Sequence, residues 1–199
     1  MKIFFFGGSF DPPHIGHKHM FEYCLDICDR FIFIPLKKSP HKVLEPLAES
    51  KHRIKMIEIL ISHIQDNSHK ASIDPFEINS SLENSYTIDT LNYLKKKYIN
   101  DSLYMVLGED QLAQLPNWKD FKDIIKSVKI ICFKRKGSTM VMDELLSMSN
   151  IIDFEYKFSS SSIRNKILNK NNFKNDTTDE IHNYITKNLL YQKKVTEVN

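Results

Sequence analysis

Apolar residues in this chain recur in two patterns that take turns along it. Residues 4–6, 31–34, 103–107 and 128–133 form short, nearly unbroken apolar runs, the signature of strands covered on both faces. Between the runs the apolar positions recur at helical spacing. Ile15, Phe21, Cys24, Leu25 and Cys28 predict a helix over about 16–28. Ile54, Ile57, Leu60, Ile61 and Ile64 predict a second, with Ser50 as its N-cap. Ile88, Leu91, Leu94 and Tyr98 predict a third, which Ser85 precedes. A short helix at 111–115 is broken by Pro116, and another is expected over about 141–148. Brief strands are expected at 71–74 and 151–154. Ile163, Ile167 and Leu168 mark a helix after a serine run, and Ile181, Ile185 and Leu189 mark a closing one over about 178–190.

Strand, helix and strand within the first thirty-five residues make a βαβ unit, whose crossover is right-handed and whose strands run parallel. The fold class is therefore α/β: an open, mostly parallel sheet with helices on both faces and a small helical C-terminal part. With 199 residues, one folding unit is expected over 1–199, and residues 156–199 form its C-terminal helical portion.

The stretch that carries chemistry is Gly7-Gly8-Ser9-Phe10-Asp11-Pro12-Pro13-His14-Ile15-Gly16-His17, where a strand turns into a helix. Glycines let the backbone approach an anion, and the first N–H groups of a helix supply donors and partial positive charge. His14 and His17, three apart, share one face of the first turn. Either feature alone is more often a plain turn or a cap; the chain has five glycines, and three of them fall here.

Other segments stay open between two readings. Tyr86 and Thr87, in the first turn after Ser85, are a second anion site or an ordinary helix start. Asp110, after Gly108 at a strand end, binds a ribose hydroxyl or caps a helix. Trp118 is packed, or it stacks on a heteroaromatic ring. Lys134-Arg135-Lys136 touches phosphate or is a solvated run. Serines 159–162 with Arg164 place hydroxyls, N–H groups and a bidentate cation on one helix start.

Charge and cysteine content narrow the classes. An excess of +3, from 28 basic and 25 acidic residues, is too small and scattered for a nucleic-acid surface. Cys24, Cys28 and Cys132 lack metal or disulfide spacing and read as apolar packing in a reducing compartment. The opening aromatic run, broken by Gly7-Gly8, is too brief for a signal peptide or a membrane span. A cytoplasmic protein is expected, without nucleic-acid or membrane partners.

The opening motif, together with Phe158-Ser159-Ser160-Ser161-Ser162-Ile163-Arg164, resembles the bacterial nicotinate-nucleotide adenylyltransferases of the HxGH nucleotidyltransferase superfamily. Pro40-His41-Lys42, Ser85-Tyr86-Thr87, Gly108-Glu109-Asp110, Pro116-Asn117-Trp118 and Arg135 follow in the family's order, so the resemblance covers nearly the whole chain. Phe158 and Ser161 replace a usual Ile and Thr, and Asn117 stands where a small hydroxyl residue is common.

The resemblance implies a Rossmann-like fold and a reaction joining ATP to nicotinate mononucleotide, giving deamido-NAD and pyrophosphate. It implies His14, His17 and Arg164 as catalytic groups. It puts Gly7, Gly8, Ser9, Phe10, Gly16, Lys42, Gly108, Asp110, Ser160 and Ser161 at ATP, the C-terminal portion completing that site. Asp11, Tyr86, Thr87, Trp118 and Arg135 fall to the second substrate. Magnesium is implied as ATP's companion, with no dedicated protein ligands. Two rivals remain: a phosphopantetheine adenylyltransferase of the same superfamily, and a non-catalytic nucleotide-binding or RNA-binding relative.

Overall fold

Strand β1 (Lys2–Gly8) is the axis of the architecture, because it pairs in parallel with β2 (Arg30–Pro35) on one side and β4 (Ser102–Gly108) on the other. The computed structural model describes residues 1–40, 46–64, 69–135, 149–154 and 158–192. Within them β3 (Ala71–Ile73), β5 (Lys129–Arg135) and β6 (Ser149–Phe154) complete a six-stranded sheet of order β3-β2-β1-β4-β5-β6, and every described pairing is parallel. The chain runs outward from β1 to β3, then returns and runs outward the other way from β4. Between β1 and β4 the connections leave for opposite directions, and a crevice opens at the carboxyl ends of the two strands.

The aromatic opening run is explained by burial on two sides. Phe4 and Phe6 enter one core with Phe21 and Cys24 of α1 (Ile15–Ile27) and Met56, Ile57 and Leu60 of α2 (Ser50–His63). Ile3 and Phe5 enter the other with Ile88, Leu91 and Leu94 of α4 (Thr87–Lys97). A period of two within an unbroken apolar run is what a strand sandwiched by helices needs. All three cysteines are free and buried in these cores.

The C-terminal helices α7 (Ser160–Leu168) and α8 (Asp179–Lys187) join the first of these layers through Ile163, Ile181 and Ile185. The serine-rich segment is thereby carried back to the opening loop.

Short elements are where the pattern and the structure part. Helix α3 (Phe76–Asn79) and helix α6 (Phe121–Ser127) are too brief to establish a period, and α5 (Glu109–Gln114) passes into a 3₁₀ turn over Leu115–Asn117. Ser85 does not cap α4; Tyr86 is the N-cap residue. The Ser85 hydroxyl instead accepts from Lys37 N–H at 2.9 Å and its own N–H donates to Lys38 carbonyl at 2.8 Å, lacing α4 to the segment leaving β2. Leu189 lies beyond α8, 68% exposed at φ 52, so it is off the apolar stripe. The helix expected over 141–148 lies outside the described residues.

Candidate active site

The crevice at the switch point is a cleft of about 520 Å³. Gly7, Gly8 and Ser9 from the end of β1 form part of its floor, with Gly108 from the end of β4. The two glycines have different tasks. A Cβ on Gly8 would meet the Phe10 ring at 3.1 Å, whereas one on Gly7 would meet no protein atom within 4 Å. A side chain at Gly8 would press on the Phe10 ring, whereas Gly7 leaves room in a cleft for something that is not protein.

His14 and His17 form the wall above this floor. His14 is the N-cap of α1 and His17 is its third residue, and each imidazole caps the other's backbone. His14 N–H donates to Nδ1 of His17 at 3.1 Å, and His17 N–H donates to Nδ1 of His14 at 3.4 Å. The rings stack at 3.7 Å. A ring nitrogen that accepts cannot carry hydrogen, so both neutral imidazoles hold their proton on Nε2. Burial lowers the His14 pKa to about 4 and holds that of His17 well below its usual value. The pair therefore offers neutral Nε2–H donors in a fixed tautomer.

Phe10 braces them. It adopts φ 48, a left-handed conformation costly for an aromatic residue, and its ring packs edge-on against Phe6, Phe33 and His17. Phe10 is 1% exposed and not part of the cleft wall, so its side chain supports the site from beneath. Gly16, buried in the first turn of α1, is likewise off the wall.

Helix α7 brings the second half. Ser159 caps it by accepting from Ser162 N–H, and the next turn faces the opening loop. The Ser160 hydroxyl donates to Pro12 carbonyl at 2.9 Å, and Nη1 of Arg164 donates to Asp11 carbonyl at 2.6 Å. Ser160, Ser161 and Arg164 thus line the same cleft as the two histidines, although some 150 residues separate them in the chain.

The far end of the cleft is built differently. Tyr86 and Thr87 start α4 without a side-chain cap, and both line the cleft. Trp118, half-buried after the 3₁₀ turn, stands on this wall as well, and Lys119 Nζ lies over the Tyr86 ring at 4.8 Å. Asp110, exposed in the first turn of α5, lines the cleft beside it.

Asp11 also departs from expectation, and two other expected side chains are not described. Asp11 is buried rather than open to a substrate, and its carboxylate is occupied by protein donors. Lys42 lies outside the described residues, as does the side chain of Arg135, whose backbone ends β5.

Sequence reasoning also missed two residues. Arg53 of α2, 2% exposed, donates to the carbonyls of Ser9 and Leu36 at 2.9 Å and of Ala48 at 3.2 Å, tying together the loops that follow β1 and β2. The available signal was its position on the apolar stripe of α2, where a cation is out of place. Glu77 of α3 lines the cleft and accepts from the Thr90 hydroxyl at 2.6 Å; burial pushes its pKa above the usual carboxylate range.

Comparison with known proteins agrees with this geometry. Residues 5–166 match the cytidylyltransferase-like family, the class of nucleotidyltransferases. The Bacillus subtilis nicotinate-nucleotide adenylyltransferase is 32% identical over 193 residues, covering 96% of this chain and 98% of that protein. The Plasmodium falciparum nicotinic acid mononucleotide adenylyltransferase complexed with NaAD superposes at a TM-score of 0.77 with 24% identity, covering 98% of each chain. Its complex with APC superposes at 0.76 with 23% identity and the same coverage. The chain belongs to the cytidylyltransferase-like family and, within it, to the nicotinate-nucleotide adenylyltransferases.

Among the described residues no helix is long and apolar enough to cross a membrane, and no group of three or more His, Cys, Asp or Glu side chains is placed to hold a metal.

Proposed function

We propose that the chain transfers the AMP part of ATP to the phosphate of nicotinate mononucleotide, giving deamido-NAD and pyrophosphate, and that the named cleft residues divide this work between its two ends. The observation that carries the reading is the joining of two distant segments on one wall. Arg164 and Ser160 are hydrogen-bonded to the loop that bears His14 and His17.

The attacking oxygen of the mononucleotide is already anionic, so the reaction needs no protein nucleophile. Two anions must be held in line, and the charge that grows on the α-phosphate and on the leaving group must be met by donors already in place. His14 and His17 direct Nε2–H groups at the α-phosphate region. The backbone of Gly7, Gly8 and Ser9 receives phosphate oxygens. Ser160, Ser161 and Arg164 hold the departing pyrophosphate, and Lys42 is assigned the role of a further cation. Asp110 and Gly108 border the nucleotide, and Arg135 is assigned to the same cleft.

Magnesium enters as the counter-ion of ATP and offsets the triphosphate's charge. The donors of the phosphate end are imidazole, hydroxyl, N–H and guanidinium groups, a set suited to anions, so the ion is assigned to the triphosphate oxygens.

At the far end, Trp118 stacks on the pyridine ring and the N–H groups at the start of α4 receive its carboxylate. Donors of that kind favour a carboxylate over a carboxamide, whose NH₂ would face another donor. An acceptor panel with ATP tests the assignment. Pyrophosphate release is expected with nicotinate mononucleotide and not with phosphopantetheine; release with phosphopantetheine alone would overturn it. This reading goes with a cytoplasmic location.

A further inference from the structure

Beneath the cleft, the carboxylate of Asp11 is held by three donors. Leu47 N–H reaches Oδ2 at 2.8 Å, Ala48 N–H reaches Oδ1 at 3.1 Å, and the Tyr191 hydroxyl reaches Oδ1 at 2.8 Å. Arg164 stands next to them. Its Nη1 donates to the main-chain carbonyl of Asp11 at 2.6 Å but lies 3.6 Å from Oδ2, and its Nη2 donates to the Ser161 hydroxyl at 3.2 Å.

A guanidinium beside a buried carboxylate ordinarily closes into a two-point pair, the strongest geometry open to it. Asp11 is 2% exposed, so water does not compete for it, yet the pair here stays loose. The reason lies in the acceptor side. With Oδ1 engaged by Tyr191 and Ala48, and Oδ2 by Leu47, the carboxylate has little capacity left for both arms of the fork.

Tyr191 is brought to this point from the far end of the chain, just past α8, in a left-handed conformation of φ 64. Burial and the neighbouring Asp11 charge push its phenol pKa upward, so it keeps its proton and acts as a donor.

We propose that Tyr191 is a positioning residue for the transfer reaction: by occupying Asp11 Oδ1 it prevents Arg164 from collapsing onto Asp11 and keeps its Nη2 edge on the Ser161 side, in the cleft. The inference rests on the reading of Arg164 as a pyrophosphate-binding group. Without the Tyr191 hydroxyl, Asp11 Oδ1 regains a free lone pair, and Arg164 turns inward to satisfy it. The cation is then spent inside the protein and the phosphate end of the cleft loses its fork.

The test is a cycle of the full-length chain with Tyr191→Phe, Arg164→Ala and both changes, assayed with ATP and nicotinate mononucleotide. Arg164→Ala is expected to lower kcat/KM for ATP by about 10²-fold, and Tyr191→Phe by about 10-fold, with KM for the mononucleotide unchanged. In the Arg164→Ala background, Tyr191→Phe is expected to have no further effect. Phenylalanine keeps the ring, and any loss from weakened folding would fall on both backgrounds alike; melting temperatures are measured alongside. Wild-type kinetics in Tyr191→Phe, or an equal loss in both backgrounds, would overturn the positioning role. A normal rate in Arg164→Ala would overturn the role of Arg164 itself, and this inference with it.

Discussion

The two ends of the cleft are made by opposite means. At the end proposed for phosphate, the candidate groups are side chains, each tied down by a partner distant in sequence or by a reciprocal bond: His14 with His17, Ser160 with Pro12, Arg164 with Asp11. At the end proposed for the acceptor, the candidate donors are backbone N–H groups of an uncapped helix, accompanied by a half-buried tryptophan. The difference follows from the chemistry asked of each end. Charge that appears only in the transition state must meet donors that need no rearrangement, whereas a ring and its carboxylate need a surface and a polarity. Loss of a side-chain donor at the phosphate end should therefore fall on kcat, and changes at the acceptor end on KM for the mononucleotide.

The largest effect is expected from His17→Ala. Loss of one preorganised donor should reduce turnover by about 10²-fold or more, with the fold intact by circular dichroism. An unchanged rate would remove His17 from the mechanism. Next comes the contrast between the two glycines. Gly7→Ala adds a methyl that meets no protein atom, so the melting temperature should hold while ATP affinity falls by about 10-fold or more. Gly8→Ala presses on the Phe10 ring at 3.1 Å and should lower stability as well. If Gly7→Ala binds ATP normally, the triphosphate does not lie against that strand end.

At the acceptor end, Trp118→Ala should raise KM for nicotinate mononucleotide by roughly 2–10-fold through lost stacking, with kcat nearly kept. A fall in kcat with KM unchanged would reverse the contrast between the ends.

A further effect, on stability rather than on turnover, is its dependence on pH. The folded pKa of His14, about 4, lies below its unfolded value of 6.5, so at intermediate pH the unfolded chain binds the extra proton. The associated stability is present in full above pH 6.5 and is lost as pH falls towards 4, on the order of 3 kcal/mol. His14→Asn keeps an N-cap acceptor and removes the titration, so its melting temperature should decline less steeply over that range.

Much of this was legible in the residues. The strands announced themselves because burial on both faces leaves no polar position, and the opening motif did so because glycines and paired histidines are rare together. The serine-rich turn was expected as an anion site, and its place beside the first loop appears only in the fold. What stayed hidden was long-range or too short to have a period. Arg53 and Tyr191 act through partners far away in sequence, and so does Ser85, whose hydroxyl accepts from Lys37 N–H. Asp11 carried the opposite lesson: a carboxylate inside a substrate motif can serve the protein's own donors.

The central claim is a single in-line displacement at the α-phosphorus, guided by fixed donors and without a covalent enzyme intermediate. The stereochemical course tests it most directly, using ATP with sulfur in one configuration at the α-phosphate and nicotinate mononucleotide as acceptor. Inversion at phosphorus in the dinucleotide product is predicted; retention, with AMP found transiently on the protein, would contradict it.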